Sequence, residues 1–364
     1  MRIAVTGGTG YVGAHTVKAM LEAGHAVRLL VAPGCGDEPV IPRLRELGAL
    51  EVLNGDIRDT AVVAALLDGC DAVLHAAGVV GTNDRQEKLM WDINAYATEA
   101  ILTRAVEAKL DPVVSVSSYS ALFPPPDGVI GPDSPTVPGR SAYARTKAYG
   151  ERVARRLQDE GHPVVVTYPS SVVGPAFWTA PGVTERGWAP IVKYRVAPVV
   201  RGGMAMVDVR DVARVHEALM RAGRGPHRYL CGGIMVGFDE MIAAVERGLG
   251  KPVRRIRVAP SVFKGIGRVS DLASKLLPLP ESLSYEAAWL LTSATPTDDS
   301  ATLADLGLQW RSPIEAIVES LRAGLSPSAP VSPPAIPPVS PPAIPPVSPP
   351  AIPPVSPPAT PPNV

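Results

Sequence analysis

The sequence predicts an α/β protein: a doubly wound parallel sheet with a smaller, mainly helical C-terminal substrate lobe and a disordered proline-rich tail. Three observations predict it. Apolar runs of strand length alternate with segments of helical period. A glycine-rich turn, TGGTGYVG, separates the first strand from the first helix. The chain ends in a proline repeat unlike anything before it.

The strand candidates are RIAVT (2–6), AVRLLV (26–31), LEVL (50–53), DAVLHAA (71–77), PVVSVSS (112–118), PVVVTY (163–168) and HRYLC (227–231). They are continuous apolar runs, the pattern of strands buried on both faces. Between them VGAHTVKAMLEAG, TAVVAALLDG, NAYATEAILTRAVEAK and YARTKAYGERVARRLQDEG suit helices. Such alternation implies right-handed βαβ units and a parallel sheet. Residues 1–170, with 206–233 returning to them, form the expected core. Past residue 170 the rhythm loosens. Residues 174–205 are rich in proline, glycine and aromatics, and 234–323 look mainly helical. Residues 171–205 and 234–323 are therefore assigned to a lobe over the carboxyl edge of the sheet, where doubly wound folds bind ligands.

The tail, 324–364, repeats VSPPAIPP from Val331, Val339 and Val347, and VSPPATPP from Val355. From Ser326 on it has no charge, aromatic residue or glycine, which favours an extended polyproline helix without a core. It reads as a spacer or as a ligand for a proline-recognising partner.

Lys+Arg (35) and Asp+Glu (35) cancel, so no bulk charge points to nucleic acid. Cys35, Cys70 and Cys231 form no CxxC pair and read as small buried hydrophobes of a reduced compartment. MRIAVTGG has too short an apolar run for a secretory signal, and no apolar run reaches the ~18 residues of a membrane span. A cytoplasmic location is expected. The Val262–Leu279 stretch mixes apolar and basic residues, which suits a lid helix or a weak contact with a membrane surface near a lipid substrate.

Gly7, Gly10 and Gly13 follow the first strand and open a helix. Gly7 permits the tight turn, Gly10 lets backbone approach a pyrophosphate, and Gly13 lets helix and strand pack closely. Phosphates then meet free N–H groups where Tyr11 and Val12 begin the helix. The second strand ends in Ala32-Pro33-Gly34. No acid stands at its tip for a ribose, and none of Arg28, Arg43 and Arg45 stands there for a 2′-phosphate, so NAD and NADP both remain open. Lys147, four residues after Tyr143, shares its helix face. A phenol is a poor acid–base group at a pKa of about 10, and a nearby ammonium stabilises its anion.

TGGTGYVG, NGDIRD, LHAAG, INAYAT, VSVSS, YARTK, PSSVVGP and VDVRDVA, in this order, resemble the extended short-chain dehydrogenase/reductase family, the NAD-dependent epimerase/dehydratase group, over residues 1–323. The resemblance implies a Rossmann-type fold, bound NAD or NADP, and a triad: Tyr143 as general acid/base, Lys147 as its electrostatic partner and clamp on the nicotinamide ribose, and Ser118 as the donor orienting the substrate oxygen. Ser117 would point elsewhere. Asp56 would bond the adenine amino group beside Ile57. Ala76, Ala77 and Gly78 would pass under the ribose, Asn94 would support the site, and Pro169 to Val172 would border the nicotinamide. Asp208 and Asp211 read as loop-holding, His15 and His75 as packing residues, and no metal site is expected. A homodimer through the helices carrying Asn94 and Tyr143 is common in the family.

Departures narrow the reaction. Tyr119 and Ser120 follow Ser118 where sugar dehydratases carry an Asp-Glu pair, Ser171 stands where many epimerases have Asn, and Tyr168 stands where relatives often have Arg. VAPSVFKGIGRVSDLASKLLPLP and SYEAAWLLTSATPTDDSATLADLGLQW are similar to the dihydroflavonol-reductase and 3β-hydroxysteroid-dehydrogenase branch, which acts on apolar ketones and alcohols. The expected function is therefore an NAD(P)-dependent oxidoreductase acting on an alcohol or ketone of a relatively apolar small molecule, sterol-, flavonoid- or aldehyde-like. The alternatives are an NDP-sugar epimerase using the same triad and a nucleotide-sensing binding protein.

Overall fold

The structure is a computed structural model, and it describes residues 1–81, 86–273 and 284–324. The repeat tail and the end of the Val262–Leu279 stretch lie outside the described residues.

In chain order the elements begin with β1 (Arg2–Thr6), α1 (Tyr11–Glu22), β2 (Ala26–Val31), α2 (Val40–Arg45), β3 (Leu50–Asn54), α3 (Thr60–Leu67) and β4 (Ala72–His75). Then come α4 (Glu87–Met90), a π-helical turn Trp91–Ala97, α5 (Thr98–Glu107), β5 (Val113–Val116), a 3₁₀ turn Tyr119–Leu122, α6 (Ala142–Asp159) and β6 (Val164–Pro169). They continue with β7 (Ser171–Val173), α7 (Val183–Gly187), α8 (Ala189–Tyr194), β8 (Val196–Val199), β9 (Gly203–Asp208), α9 (Val209–Ala218) and β10 (His227–Cys231). The last are β11 (Ile234–Gly237), α10 (Phe238–Leu249), β12 (Arg254–Arg257), α11 (Pro260–Ala273), α12 (Tyr285–Ser293), α13 (Ser300–Leu306) and α14 (Pro313–Gly324).

All seven expected strands form one parallel sheet in the order β10-β6-β5-β4-β1-β2-β3. Its inner runs are largely apolar because each strand feeds two cores, whereas the edge strands β3 and β10 carry Glu51, His227 and Arg228 at exposed or half-buried positions. Ile3 and Val5 of β1 join Leu29, Val114 and Val165 beneath α1, α2 and α9. Ala4 faces the other way, with Val73, Val113 and Val164 beneath α3, α5 and α6. Each large aliphatic side chain so buried contributes roughly 1.5–3 kcal/mol. The order reverses between β1 and β4, which opens a crevice at their carboxyl ends.

Two small sheets, β11-β9-β7 and β12-β8, were not anticipated. With α8, α10, α11 and α14 they enclose a third core around Trp188, Met206, Phe238, Ile242 and Ile317. β7 has only three residues, and VAPV, GMAMVD, IMVG and RRIR are interrupted by proline, glycine, aspartate or arginine, so none reads as a continuous apolar run.

Candidate active site

The glycine turn after β1, the Asp56 loop after β3 and the Ala76–Gly78 loop after β4 all leave the carboxyl edge of the main sheet. Gly7 takes φ +73°, and a Cβ there would stand 2.5 Å from the Ala77 nitrogen. The turn after β1 thus touches the Ala76–Gly78 backbone after β4. A Cβ on Gly13 would lie 2.1 Å from the Gly7 carbonyl oxygen, so helix and turn meet through bare backbone. Gly10 is different: its nearest neighbour would be the Gly7 oxygen at 3.3 Å. Gly10 caps α1 without a side-chain hydrogen bond, and the first turn holds no acid. The N–H groups at Tyr11 and Val12 are left facing the crevice with the positive end of the helix dipole. Tyr11 itself turns away, donating its hydroxyl to the Gly174 carbonyl at 2.7 Å.

On the adenosine side Asp56 follows β3, and Ile57 beside it is buried. The Asp56 carboxylate accepts from Arg58 through Nε at 2.9 Å, Nη2 at 2.5 Å and the backbone N–H at 2.9 Å, which holds its pKa below the usual range. Arg58 was not anticipated; it fixes the orientation of the Asp56 carboxylate. Arg28 donates to the carbonyls of Ala65, Leu66 and Asp68, and the Arg43 guanidinium lies 4.4 Å from the Trp178 ring centre. Both are committed elsewhere than to a 2′-phosphate.

Tyr143, Lys147 and Ser118 are brought together by β5 and α6. Ser141 caps α6, accepting the Ala144 N–H at 3.2 Å, and so sets Tyr143 in the first turn. Ser118 ends the strand segment in extended backbone, is 7% exposed, and accepts from the Ser120 hydroxyl at 3.0 Å. Burial pushes the Tyr143 phenol up to about 12, opposed by a hydrogen bond with Ser118. Lys147 donates to the Val116 carbonyl at 3.0 Å, and burial brings its ammonium down to about 8, opposed by the charge of Glu151. The expected direct effect of Lys147 on Tyr143 is not among the causes of the phenol's shift; burial dominates both groups. The site as folded therefore holds a protonated phenol, ready to donate.

Asn94, 1% exposed, sits in the π-helical turn, a distortion often found at functional sites. It accepts the Val79 N–H at 2.7 Å and donates to the Val79 carbonyl at 2.8 Å and Thr146 at 3.3 Å. It thereby clamps the loop after β4 to α6. A Cβ on Gly78 would lie 3.6 Å from the Lys147 nitrogen, so this loop runs directly beside the ammonium. Pro169 ends β6, and Val172 lies in β7, next to the same edge.

Glu151 escaped the sequence reading. It is fully buried and ion-pairs with Arg155 at 2.6 Å. The Tyr168 hydroxyl donates to it and accepts from Arg155 at 3.4 Å. The departure at Tyr168 thus has a physical sense: the tyrosine occupies the partner position while Arg155 supplies the charge from α6. Glu151, Lys147, Asn94 and Ser117 line one small cavity of about 10 Å³. The Ser117 hydroxyl and Glu151 Oε2 are buried there without a protein partner.

Other residues hold the frame. His15 bonds the Pro175 carbonyl at 2.9 Å, and His75 bridges Thr6 and Thr98 at 2.8 Å each. Asp208 caps α9 and pairs with Arg210, and Asp211 accepts the Arg311 N–H at 2.6 Å. Cys70 and Cys231 are buried and Cys35 partly so. Among the described residues no cluster of acids, histidines and cysteines is gathered for a metal, and no helix is long and apolar enough to cross a membrane.

Residues 3–232 match the NAD dependent epimerase/dehydratase family. Sterol demethylase protein B of Methylococcus capsulatus is 29% identical over 314 residues, covering 85% of this chain and 93% of that protein. Cinnamoyl-CoA reductase 1 of Arabidopsis thaliana is 31% identical over 249 residues, covering 63% and 69%. Among solved structures, a UDP-glucuronic acid 4-epimerase from Bacillus cereus, in complex with UDP-glucuronic acid and NAD, superposes with a TM-score of 0.70 at 18% identity, covering 89% of this chain and 98% of that one. The crevice, the bare glycine turn and the uncapped helix fit the same nicotinamide dinucleotide, and the chain belongs to the NAD-dependent epimerase/dehydratase family, the extended group of short-chain dehydrogenase/reductase enzymes.

Proposed function

We propose that this protein is an oxidoreductase that moves a hydride between NAD(P) and an alcohol or ketone carbon of a relatively apolar small molecule. The observation that carries the reading is the convergence of Ser118, Tyr143 and Lys147 at the carboxyl ends of β5 and α6's first turns, beside the glycine turn. The dinucleotide would lie along Gly7–Gly13, Asp56–Ile57 and Ala76–Gly78, with its nicotinamide near Pro169 and Val172, and would supply or accept the hydride.

The protein's own groups handle the oxygen. Tyr143, kept protonated by burial, gives its proton to the forming alkoxide. Ser118 donates to the same oxygen and orients it. Lys147 holds positive charge behind the phenol and stands beside the Gly78 loop, where a ribose hydroxyl would reach it. Asn94 fixes that loop. We assign 171–205 and 234–323 to substrate binding, a division supported by the third core, which draws mainly on these segments together with Met206 of β9. An apolar substrate is supported by relatives named sterol demethylase, dihydroflavonol reductase and cinnamoyl-CoA reductase. Tyr119 stands where sugar dehydratases carry an acid, and Ser171, its hydroxyl 3.5 Å from that of Tyr119, stands where many epimerases carry Asn; the latter favours this reading over an epimerase.

The test is a panel of apolar ketones and alcohols with either cofactor, following nicotinamide absorbance. Net cofactor turnover supports the proposal. Isomerisation of a sugar nucleotide without net turnover would replace it with the epimerase reading, and cofactor binding with neither would leave a sensor.

A further inference from the structure

Helix α11 has two contrasting faces. Its inward face is closed: Phe263 and Ser270 are buried, and a Cβ on Gly267 would stand 2.8 Å from the Tyr285 Cα, so α11 lies hard against the start of α12. Its outward face is apolar. Val262, Ile266, Val269 and Leu272 are 55%, 47%, 69% and 68% exposed. At ~100° per residue these four fall within an arc of about 120°, one continuous stripe. Scattered single hydrophobes on a surface need no explanation; a stripe along one helix face does.

The surroundings are basic. Residues 250–273 hold six Lys and Arg against one acid, Asp271, in a chain whose charges balance overall; of the six, Arg255 pairs with Glu246 at 2.8 Å. Arg254 and Arg257 are exposed on β12, which runs into α11 after a two-residue link, and Ile256 between them is 47% exposed. Arg268 and Lys264 follow beyond the Leu272 edge of the stripe, Arg268 with its guanidinium 4.9 Å from the Tyr285 ring centre, and the Asp271 carboxylate accepts the Tyr285 N–H at 3.1 Å.

We propose that this face docks on an anionic lipid surface, with the stripe entering the acyl boundary and the basic residues meeting the headgroups. An apolar face beside cations such as Arg254, Arg257 and Lys264, which form no ion pair among the described residues, is the form of an interfacial helix. A second copy of the chain fits less well. Two-fold pairing of this face would set basic flank against basic flank, and four side chains cover far less than the ~800 Å² per partner of a stable interface. The position also has a use. Trp289 of α12 packs on Phe123 at 4.6 Å between ring centres and under Arg140 at 4.3 Å, and Glu286 lies 3.5 Å from the Ser141 hydroxyl that caps the helix of Tyr143. The docked face is thus one helix removed from the start of the helix that carries Tyr143, on the side from which an apolar substrate leaving a bilayer would arrive.

The experiment is sedimentation of the full chain with vesicles of phosphatidylcholine alone and with phosphatidylglycerol added, at low and high salt, together with sedimentation velocity of the protein alone. Binding to the anionic vesicles, weakened at least tenfold by Val269→Asp with Leu272→Asp, by Arg254→Glu with Arg257→Glu, and by salt, is expected. Absence of binding at low salt, or binding equal on neutral vesicles, overturns the proposal. So does a self-associated species that the stripe variant dissolves, which would make the face a contact between copies. The two variants sit on different elements, so misfolding of one, read by its melting, leaves the other decisive. The readout needs no substrate, so it stands or falls separately from the oxidoreductase assignment.

Discussion

Glu151 stands one helical turn beyond Lys147, and the two line the same small buried cavity. The carboxylate's field opposes the desolvation that draws the Lys147 ammonium down to about 8. Its other oxygen is tied to Arg155 and Tyr168, so the charge is fixed in place. Replacing it by the neutral Glu151→Gln should lower the Lys147 pKa further. Activity that needs a charged Lys147 is lost as pH rises through that pKa, so the alkaline limb of kcat/KM should move to lower pH in the variant. An unmoved limb in a folded variant would make Glu151 a framework residue only.

Tyr143→Phe removes the proton donor and little volume. Turnover should fall roughly 10²-fold or more, the scale of lost acid–base catalysis, while cofactor affinity by titration stays near that of the parent. A variant with full turnover would end the assignment of Tyr143.

The glycines of the turn should separate by role. Gly13→Ala forces a Cβ to 2.1 Å from the Gly7 oxygen, where only backbone could yield, so both melting temperature and cofactor binding should drop. Gly10 has φ −85°, and a Cβ there would meet just the Gly7 oxygen, at 3.3 Å, so Gly10→Ala should lose far less melting temperature than Gly13→Ala while binding the dinucleotide more weakly. Equal behaviour of the two variants would contradict the turn's geometry.

How much of this was legible follows from the physics of each residue. The inner strands could be read because burial on both faces leaves few polar gaps, as Ile3, Ala4 and Val5 illustrate by alternating between two cores; the edge strands β3 and β10 kept enough apolar residues to register beside Glu51 and Arg228. The glycine turn and Tyr143 with Lys147 could be read because each needs a fixed residue type at a fixed spacing. Glu151 could not, since an acid four residues after a lysine is normally a solvated pair, and only the burial of α6 against β6 changes that. Arg58 and Arg155 were hidden for the same reason. The exposed stripe of α11 carries an ordinary amphipathic pattern; the sequence leaves open which face is turned outward.

Cofactor preference follows from commitments on the adenosine side. Arg28 is spent on three helix-end carbonyls and Arg43 on Trp178, so a 2′-phosphate gains no paired cation from either. NADP(H) should therefore bind no more tightly than NAD(H) in paired titrations. A clear preference for the phosphorylated form would require another basic group, with Arg45 the first to replace.

Acid stability should be governed by two buried histidines. His75 joins Thr6 of β1 to Thr98 of α5, and His216 joins Thr16 of α1 to Thr167 of β6 at 2.9 and 3.0 Å. Burial lowers both from 6.5 to about 3. Below pH 6.5 the unfolded chain takes up protons that the folded chain refuses, so stability falls as pH drops and the loss levels off near pH 3. Each histidine should add about 1.4 kcal/mol per pH unit to the slope in that window. Urea unfolding at a series of pH values measures it. His216→Gln, which keeps one donor and one acceptor between the same threonines, should flatten the slope by about that amount while lowering stability at neutral pH only modestly. A variant with the parent's slope would show that the acid sensitivity arises elsewhere.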